Sequence, residues 1–123
     1  MKFWTAIPLV LCTALGTGAQ ANSDLNGRWS VLIVTESGQC DRAYRYGVKV
    51  ENGKIEYSGE SALIAVDLSG QVDRSGRVKV TVSSGSQVAL ATGRLQGRTG
   101  GGTWTGKSSA SQCAGRWEAE RRS

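Results

Sequence analysis

The chain of 123 residues contains no histidine, one proline and one phenylalanine, and its one methionine is Met1. Lacking His, it has neither the commonest metal ligand nor the commonest general base near neutral pH. A Ser-His-Asp hydrolase and a His-based zinc site are therefore excluded. The length allows a single domain. Helix signals are nearly absent beyond residue 22, which also excludes a coiled coil. A haem iron would have to be held by Tyr44, Tyr46 or Tyr57, a known ligation. Those tyrosines read more simply as strand residues with an apolar body and a wet tip. No metal site and no cofactor is expected.

The N-terminus carries the first positive signal. Lys2 precedes an apolar run from Phe3 to Gly16, and Ala19-Gln20-Ala21 is a small-x-small cleavage site. This is the secretory pattern. The run is too short to cross a bilayer comfortably, which takes about 20 apolar residues. The expected division is a signal peptide over 1–21 and one β-rich domain over 22–123. A lipoprotein would use Cys12, but Leu11 stands where a small residue is required. Cleavage removes Cys12 and leaves Cys40 and Cys113, an even pair that reads as one disulfide in an oxidising compartment. The expected location is periplasmic or secreted.

Between recurrent glycines, 17 in all, lie short β-branched and aromatic runs, the pattern of an all-β sandwich or barrel. Strands are expected near Arg28–Thr35, Ala43–Glu51, Lys54–Ser58, Ala62–Asp73, Arg77–Ser83, Gln87–Gln96, Gly102–Gly106 and Ala114–Arg121. Asn52-Gly53 favours a two-residue type I′ turn. That register pairs Glu51 with Lys54, Val50 with Ile55, Lys49 with Glu56 and Val48 with Tyr57. Apolar pairs then fall on one face and opposite charges on the other, the arrangement that stabilises a sheet. A three-residue loop over Arg74-Ser75-Gly76 pairs Asp73 with Arg77 and Val72 with Val78. A turn over Ser84-Gly85-Ser86 pairs Val82 with Val88 and Val80 with Leu90. A loop over Arg98–Gly101 opposes Leu95 to Trp104. Leu90 and Leu95 differ in parity, so a bulge is expected at Gly93 if both point inward. Tight hairpins in series make an up-and-down meander. Eight strands suit a closed antiparallel barrel whose interior holds side chains or one small ligand. A β-sandwich is the alternative.

No catalytic residue is assigned. The acids fall mostly in turns or opposite Lys and Arg, and the loop serines have no activating base, which a serine nucleophile needs. Arg45 with Lys49, Arg77 with Lys79, and Arg116 with Arg121 and Arg122 make basic groupings within a net charge of +5. The leader places the chain away from nucleic acid. Several of these cations face acids, so at most weak contact with an anionic envelope surface is expected. Beyond the leader the aromatics are Trp29, Tyr44, Tyr46, Tyr57, Trp104 and Trp117. Tyr44 and Tyr46 share parity with Val48 and Val50. Closure of the meander would bring Trp29 on the first strand near Trp117 on the last.

Gly27-x-Trp29 on the first strand, with an arginine on the last, resembles the calycins, the lipocalin and avidin group. In that group the Trp closes one end of the barrel and an Arg near the chain end packs over it. The resemblance implies that role for Arg121, which shares parity with Trp117. Gly102-Thr-Trp-Thr-Gly106 has an avidin-like look. The combination of Gly27-Arg-Trp29, Cys40-Asp-Arg-Ala-Tyr-Arg-Tyr46, Gly102-Thr-Trp104 and Cys113-Ala-Gly-Arg-Trp117 also resembles a loose group of small secreted bacterial proteins. The early Gly-x-Trp, leader and single disulfide are similar to those of secreted bacterial metalloprotease inhibitors, whose cysteines lie closer in sequence. In those inhibitors an N-terminal arm enters the protease, and Asn22–Leu25 is the matching segment here.

The leading expectation is non-enzymatic binding of a small apolar or amphipathic ligand in the barrel mouth, with Tyr44, Tyr46, Tyr57 and Trp104 as wall residues. Trp29, Trp117 and Arg121 are structural, and Cys40 pairs with Cys113. The alternatives are a protein-interaction module such as a protease inhibitor, acting through Asn22–Leu25 and adjacent loops, and an envelope protein with a filled core. The expected partner is a small ligand or an envelope protein. A monomer is expected.

Overall fold

The computed structural model describes residues 23–58 and 67–123. The leader, Cys12, Asn22 and the first part of the expected fourth strand, 62–66, lie outside the described residues. A short 3-10 helix, Ser23–Leu25, is followed by eight strands: β1 Gly27–Ser37, β2 Ala43–Glu51, β3 Lys54–Tyr57, β4 Asp67–Val72, β5 Arg77–Ser84, β6 Gln87–Gln96, β7 Thr99–Lys107 and β8 Gln112–Arg121. Each strand pairs antiparallel with the next, and β1 pairs with β8, closing the barrel. The expected architecture is the one observed. Among the described residues every strand thus has a strand partner on each side, which limits the edge that another chain could extend.

Local chemistry sets the hairpins. Asn52 (φ 51°) and Gly53 (φ 84°) both take the left-handed region a type I′ turn demands. The β2–β3 register is the one read from the sequence, Glu51 opposite Lys54 through Val48 opposite Tyr57. In the next hairpin Val72 opposes Val78. Asp73 and Arg77 close it, with the amide of Asp73 donating to the Arg77 carbonyl at 3.0 Å. The Asp73 carboxylate accepts from the backbone N–H of Ser75 (2.9 Å), that of Arg77 (3.0 Å) and the Ser75 hydroxyl (2.8 Å).

Two registers differ from expectation. Ser84 opposes Gln87 and Gln96 opposes Thr99, so Gly85-Ser86 and Gly97-Arg98 are two-residue turns. Gly85 (φ 61°) and Gly97 (φ 62°) supply the positive φ at the first central position, and the residue after each does not share it. That is type II′ chemistry, which a glycine in first place selects. Val82 therefore faces Ala89, Thr81 faces Leu90, Leu95 faces Gly100 and Trp104 faces Ala91. No bulge occurs at Gly93. The parity conflict resolves the other way: Leu95 is buried, while Val88 and Leu90 point out and are 44% and 53% exposed. The irregularity falls instead on β1, between Thr35 and Ser37 opposite β8.

The core is concentrated at the barrel end that holds the chain's entry into β1 and the β2–β3, β4–β5 and β6–β7 turns. Leu25, Trp29, Val50, Ile55, Val72, Val78, Leu95 and Ala119 are buried there. The 3-10 helix acts as a plug, since Leu25 is 2% and Trp29 1% exposed. The Trp29 Nε1–H donates to the Leu25 carbonyl at 2.9 Å, so the buried indole nitrogen is satisfied.

Candidate functional site

The opposite end is built differently. Val31 opposes Tyr46 and Ile33 opposes Tyr44 across β1–β2, while Val48 opposes Tyr57 across β2–β3. Buried Val48 and Val50 share the face of Tyr44 and Tyr46, and buried Ile55 shares that of Tyr57, so all three phenols are on the inner face. They are half-buried. Tyr44 and Tyr46 stack with centroids 6.0 Å apart and planes at 29°, and Tyr57 meets Tyr46 edge-on at 6.1 Å. Both geometries are favoured by the aromatic quadrupole. Burial first, then the neighbouring Tyr44 and Tyr57, push the Tyr46 phenol above the ordinary tyrosine range. Leu68, Val80, Ala89 and Ala91 are also partly buried and pack against the core. The inner surface at this end thus carries aliphatic and aromatic side chains, with the phenol hydroxyls of the three tyrosines and the side chains of Thr35 and Ser84 as polar groups on the same parity.

The structure does not bring Trp104 into the tyrosine cluster. Its indole N–H donates to the Val34 carbonyl at 3.1 Å, and its ring lies against Gly106. Trp117 is placed in the same manner, with its N–H on the Thr92 carbonyl at 3.0 Å. One pattern explains both. Gly102-Thr-Trp104 and Gly115-Arg-Trp117 run antiparallel, so Trp104 opposes Gly115 and Gly102 opposes Trp117. Each indole crosses the opposing glycine and reaches the carbonyl of the strand beyond. A Cβ on Gly115 would run into the Val34 carbonyl, and one on Gly102 into that of Thr92. A Cβ on Gly93 would lie 2.5 Å from Cζ2 of Trp117. The small residues of β6 to β8 are therefore seats for two indoles. Sequence reasoning missed this reciprocity, although the repeated Gly-x-Trp on adjacent strands was its signal.

At the closed end the Arg121 guanidinium lies over the Trp29 ring, 5.5 Å from its centroid, and one terminal nitrogen donates to the Asp24 carbonyl. Its Nε is buried without a partner. Trp29 and Arg121 are also cross-strand neighbours at the barrel seam. Cys40 and Cys113 form a disulfide with Cα atoms 6.2 Å apart, which ties the β1–β2 loop to the start of β8 across 73 residues. It is compatible with a periplasmic or secreted protein. Asn22–Leu25 is not a free arm over its described part, because Leu25 is locked into the barrel end.

Among the described residues, no three His, Cys, Asp or Glu side chains gather as a metal-holding group. No protein-family model, curated protein or solved structure matches the chain, so what is established is an eight-stranded antiparallel barrel consistent with a calycin-like fold.

Proposed function

We propose that the protein is a non-enzymatic binding protein that takes a small apolar or amphipathic ligand into the tyrosine-lined end of the barrel. The observation that carries this reading is the contrast between the two ends. One is plugged by Leu25 and Trp29. The other keeps Tyr44, Tyr46, Tyr57, Leu68 and Val80 only half-buried on an inward face. Pockets for small ligands are mostly apolar and aromatic, with a few placed polar groups. Three phenols on an aliphatic lining meet that description, and a ligand with an apolar body and a polar end matches both parts. Trp104 then offers the ligand no polar group, because its N–H is already committed to Val34. The disulfide and the leader expected over 1–21 support action in an envelope or extracellular space, as a monomer.

A fluorescent fatty acid tests the reading. The native protein is expected to enhance its emission saturably, and Tyr46→Ala is expected to weaken binding roughly tenfold, a loss of about 1.4 kcal/mol. Absence of binding by protein shown to be folded by near-ultraviolet circular dichroism would overturn the proposal. So would equal binding by the variant. Native mass spectrometry of protein purified from its own source is expected to show excess mass that leaves on denaturation.

A further inference from the structure

The acids and bases are unevenly placed. Between Asp73 and Glu118 the chain contains no acidic residue, yet that stretch holds Arg74, Arg77, Lys79, Arg94, Arg98, Lys107 and Arg116. Folding sorts these cations further. Arg116 is used at the surface, bonded to Glu36 at 3.0 Å and Glu118 at 3.4 Å. Arg122 pairs with Glu120 at 3.3 Å. Arg77, Lys79, Arg94 and Arg98 have no such ion pair among the described residues, and all four are exposed.

These four sit together with Arg74 at the plugged end. Arg74 and Arg98 occupy the β4–β5 and β6–β7 turns, and Arg77 and Arg94 are direct cross-strand partners on the outer face. Two like charges set opposite one another destabilise a sheet. Of the acids nearby, Asp73 has its carboxylate occupied by its own turn, and Glu118 and Glu120 on the neighbouring β8 are paired with Arg116 and Arg122. A shallow depression lined by Asn52, Gln71, Asp73, Arg77, Lys79 and Thr92 opens beside the pair, with Gly93 also bordering it.

We propose that this end of the barrel docks on an anionic membrane surface, with the cations of the β4–β5 and β6–β7 hairpins on lipid phosphates. Charge complementarity identifies the occupant. The cations are spread over two neighbouring hairpin tips and converge on no buried point, which suits a plane of headgroups better than one free anion. The leader expected over 1–21 places such a plane within reach. The tyrosine-lined end then faces away from the bilayer, so docking is independent of the ligand reading and fails or stands without it.

Vesicle co-sedimentation of the full mature chain decides the matter. Vesicles of phosphatidylglycerol in phosphatidylcholine are expected to bind the protein, with release at high salt because the contacts are screened. Pure phosphatidylcholine is expected to leave it in solution. The double variant R94Q/R98Q is expected to bind about 30-fold more weakly, at about 1 kcal/mol per cation near such a surface. The control R42Q/K107Q makes the same change in net charge at the opposite end, and is expected to stay within about threefold of wild type, since only its long-range contribution to the field is lost. Equal losses in the two variants would reduce the effect to net charge and overturn the proposal. Failure to bind anionic vesicles at low salt would overturn it too. So would retention on soluble polyphosphate without vesicle binding, which would point to a soluble polyanion. Thermal unfolding of both variants checks that they remain folded.

Discussion

Single residues here are often defined by what a neighbour needs. Gly93 is small because the Gly101 carbonyl and the Trp117 ring occupy the space a side chain would take, whereas Gly97 is glycine because its backbone has φ of 62° with open space around it. The two constraints predict different costs. Gly93→Ala is expected to destabilise by about 3 kcal/mol through overpacking. Gly97→Ala is expected to cost about 1 kcal/mol through left-handed strain. Urea denaturation of the two variants separates them. Asp73 offers a test in pH. Its bond from the Ser75 hydroxyl, then the Arg77 amide, with further help from the Ser75 amide and the Arg77 charge, holds its carboxyl below the ordinary range. A depressed folded value means the stabilisation is complete above the unfolded value and lost as pH falls through the folded one. Wild type is therefore expected to exceed Asp73→Ala in stability near pH 6. The gap should narrow toward about pH 2, well below the ordinary Asp value of about 3.9. Chemical denaturation at the two pH values measures it.

At the scale of elements, turn chemistry decides which face each strand buries. Asn52-Gly53 and Arg74-Ser75-Gly76 were legible because their positions match turn types with strong residue preferences, and the paired valines and charges agreed with them. Gly85-Ser86 and Gly97-Arg98 were misread as longer loops. A change of one residue in loop length turns every side chain to the opposite face, so Val88 and Leu90 moved outside and Ala89 and Ala91 inside. Leucine looks like a core residue and alanine like filler until the indoles of β7 and β8 are in place. The plug is also an element-scale feature. Leu25 lies in a segment with no helical pattern, and only its contact with Trp29 shows its role. Leu25→Ala is expected to cost about 2–4 kcal/mol, within the range for buried leucines, and to lower Tm accordingly. The inhibitor-arm alternative treats that residue as free to enter a partner, and would leave Tm unchanged.

For the whole molecule, the disulfide spans 73 residues and joins the first loop to the last strand. In the chain-entropy picture a loop of that size contributes about 4 kcal/mol. Cys40→Ser with Cys113→Ser is expected to lose about that amount in equilibrium unfolding while keeping the strand signature by circular dichroism. A loss near zero would mean that barrel closure alone restricts the chain. Much of the candidate site was visible in advance: the parity of Tyr44, Tyr46, Val48 and Val50 put the tyrosines on the inner face. The separation of Trp104 from them was hidden, because it depends on which strand the indole leans across, and parity says only inside or outside.

The sequence by itself determined the strand count, the antiparallel order, the disulfide and the two hairpins whose turn residues admit one geometry, because these rest on local backbone preferences and on a period of two. Only the tertiary structure decided that one end is plugged and the other tyrosine-lined. It alone decided that Gly102 and Gly115 carry each other's tryptophans, and that the cations Arg77 and Arg94 meet across a strand pair. Those outcomes depend on register around a closed ring, where every strand's offset is fixed by its two neighbours and no local signal carries the sum.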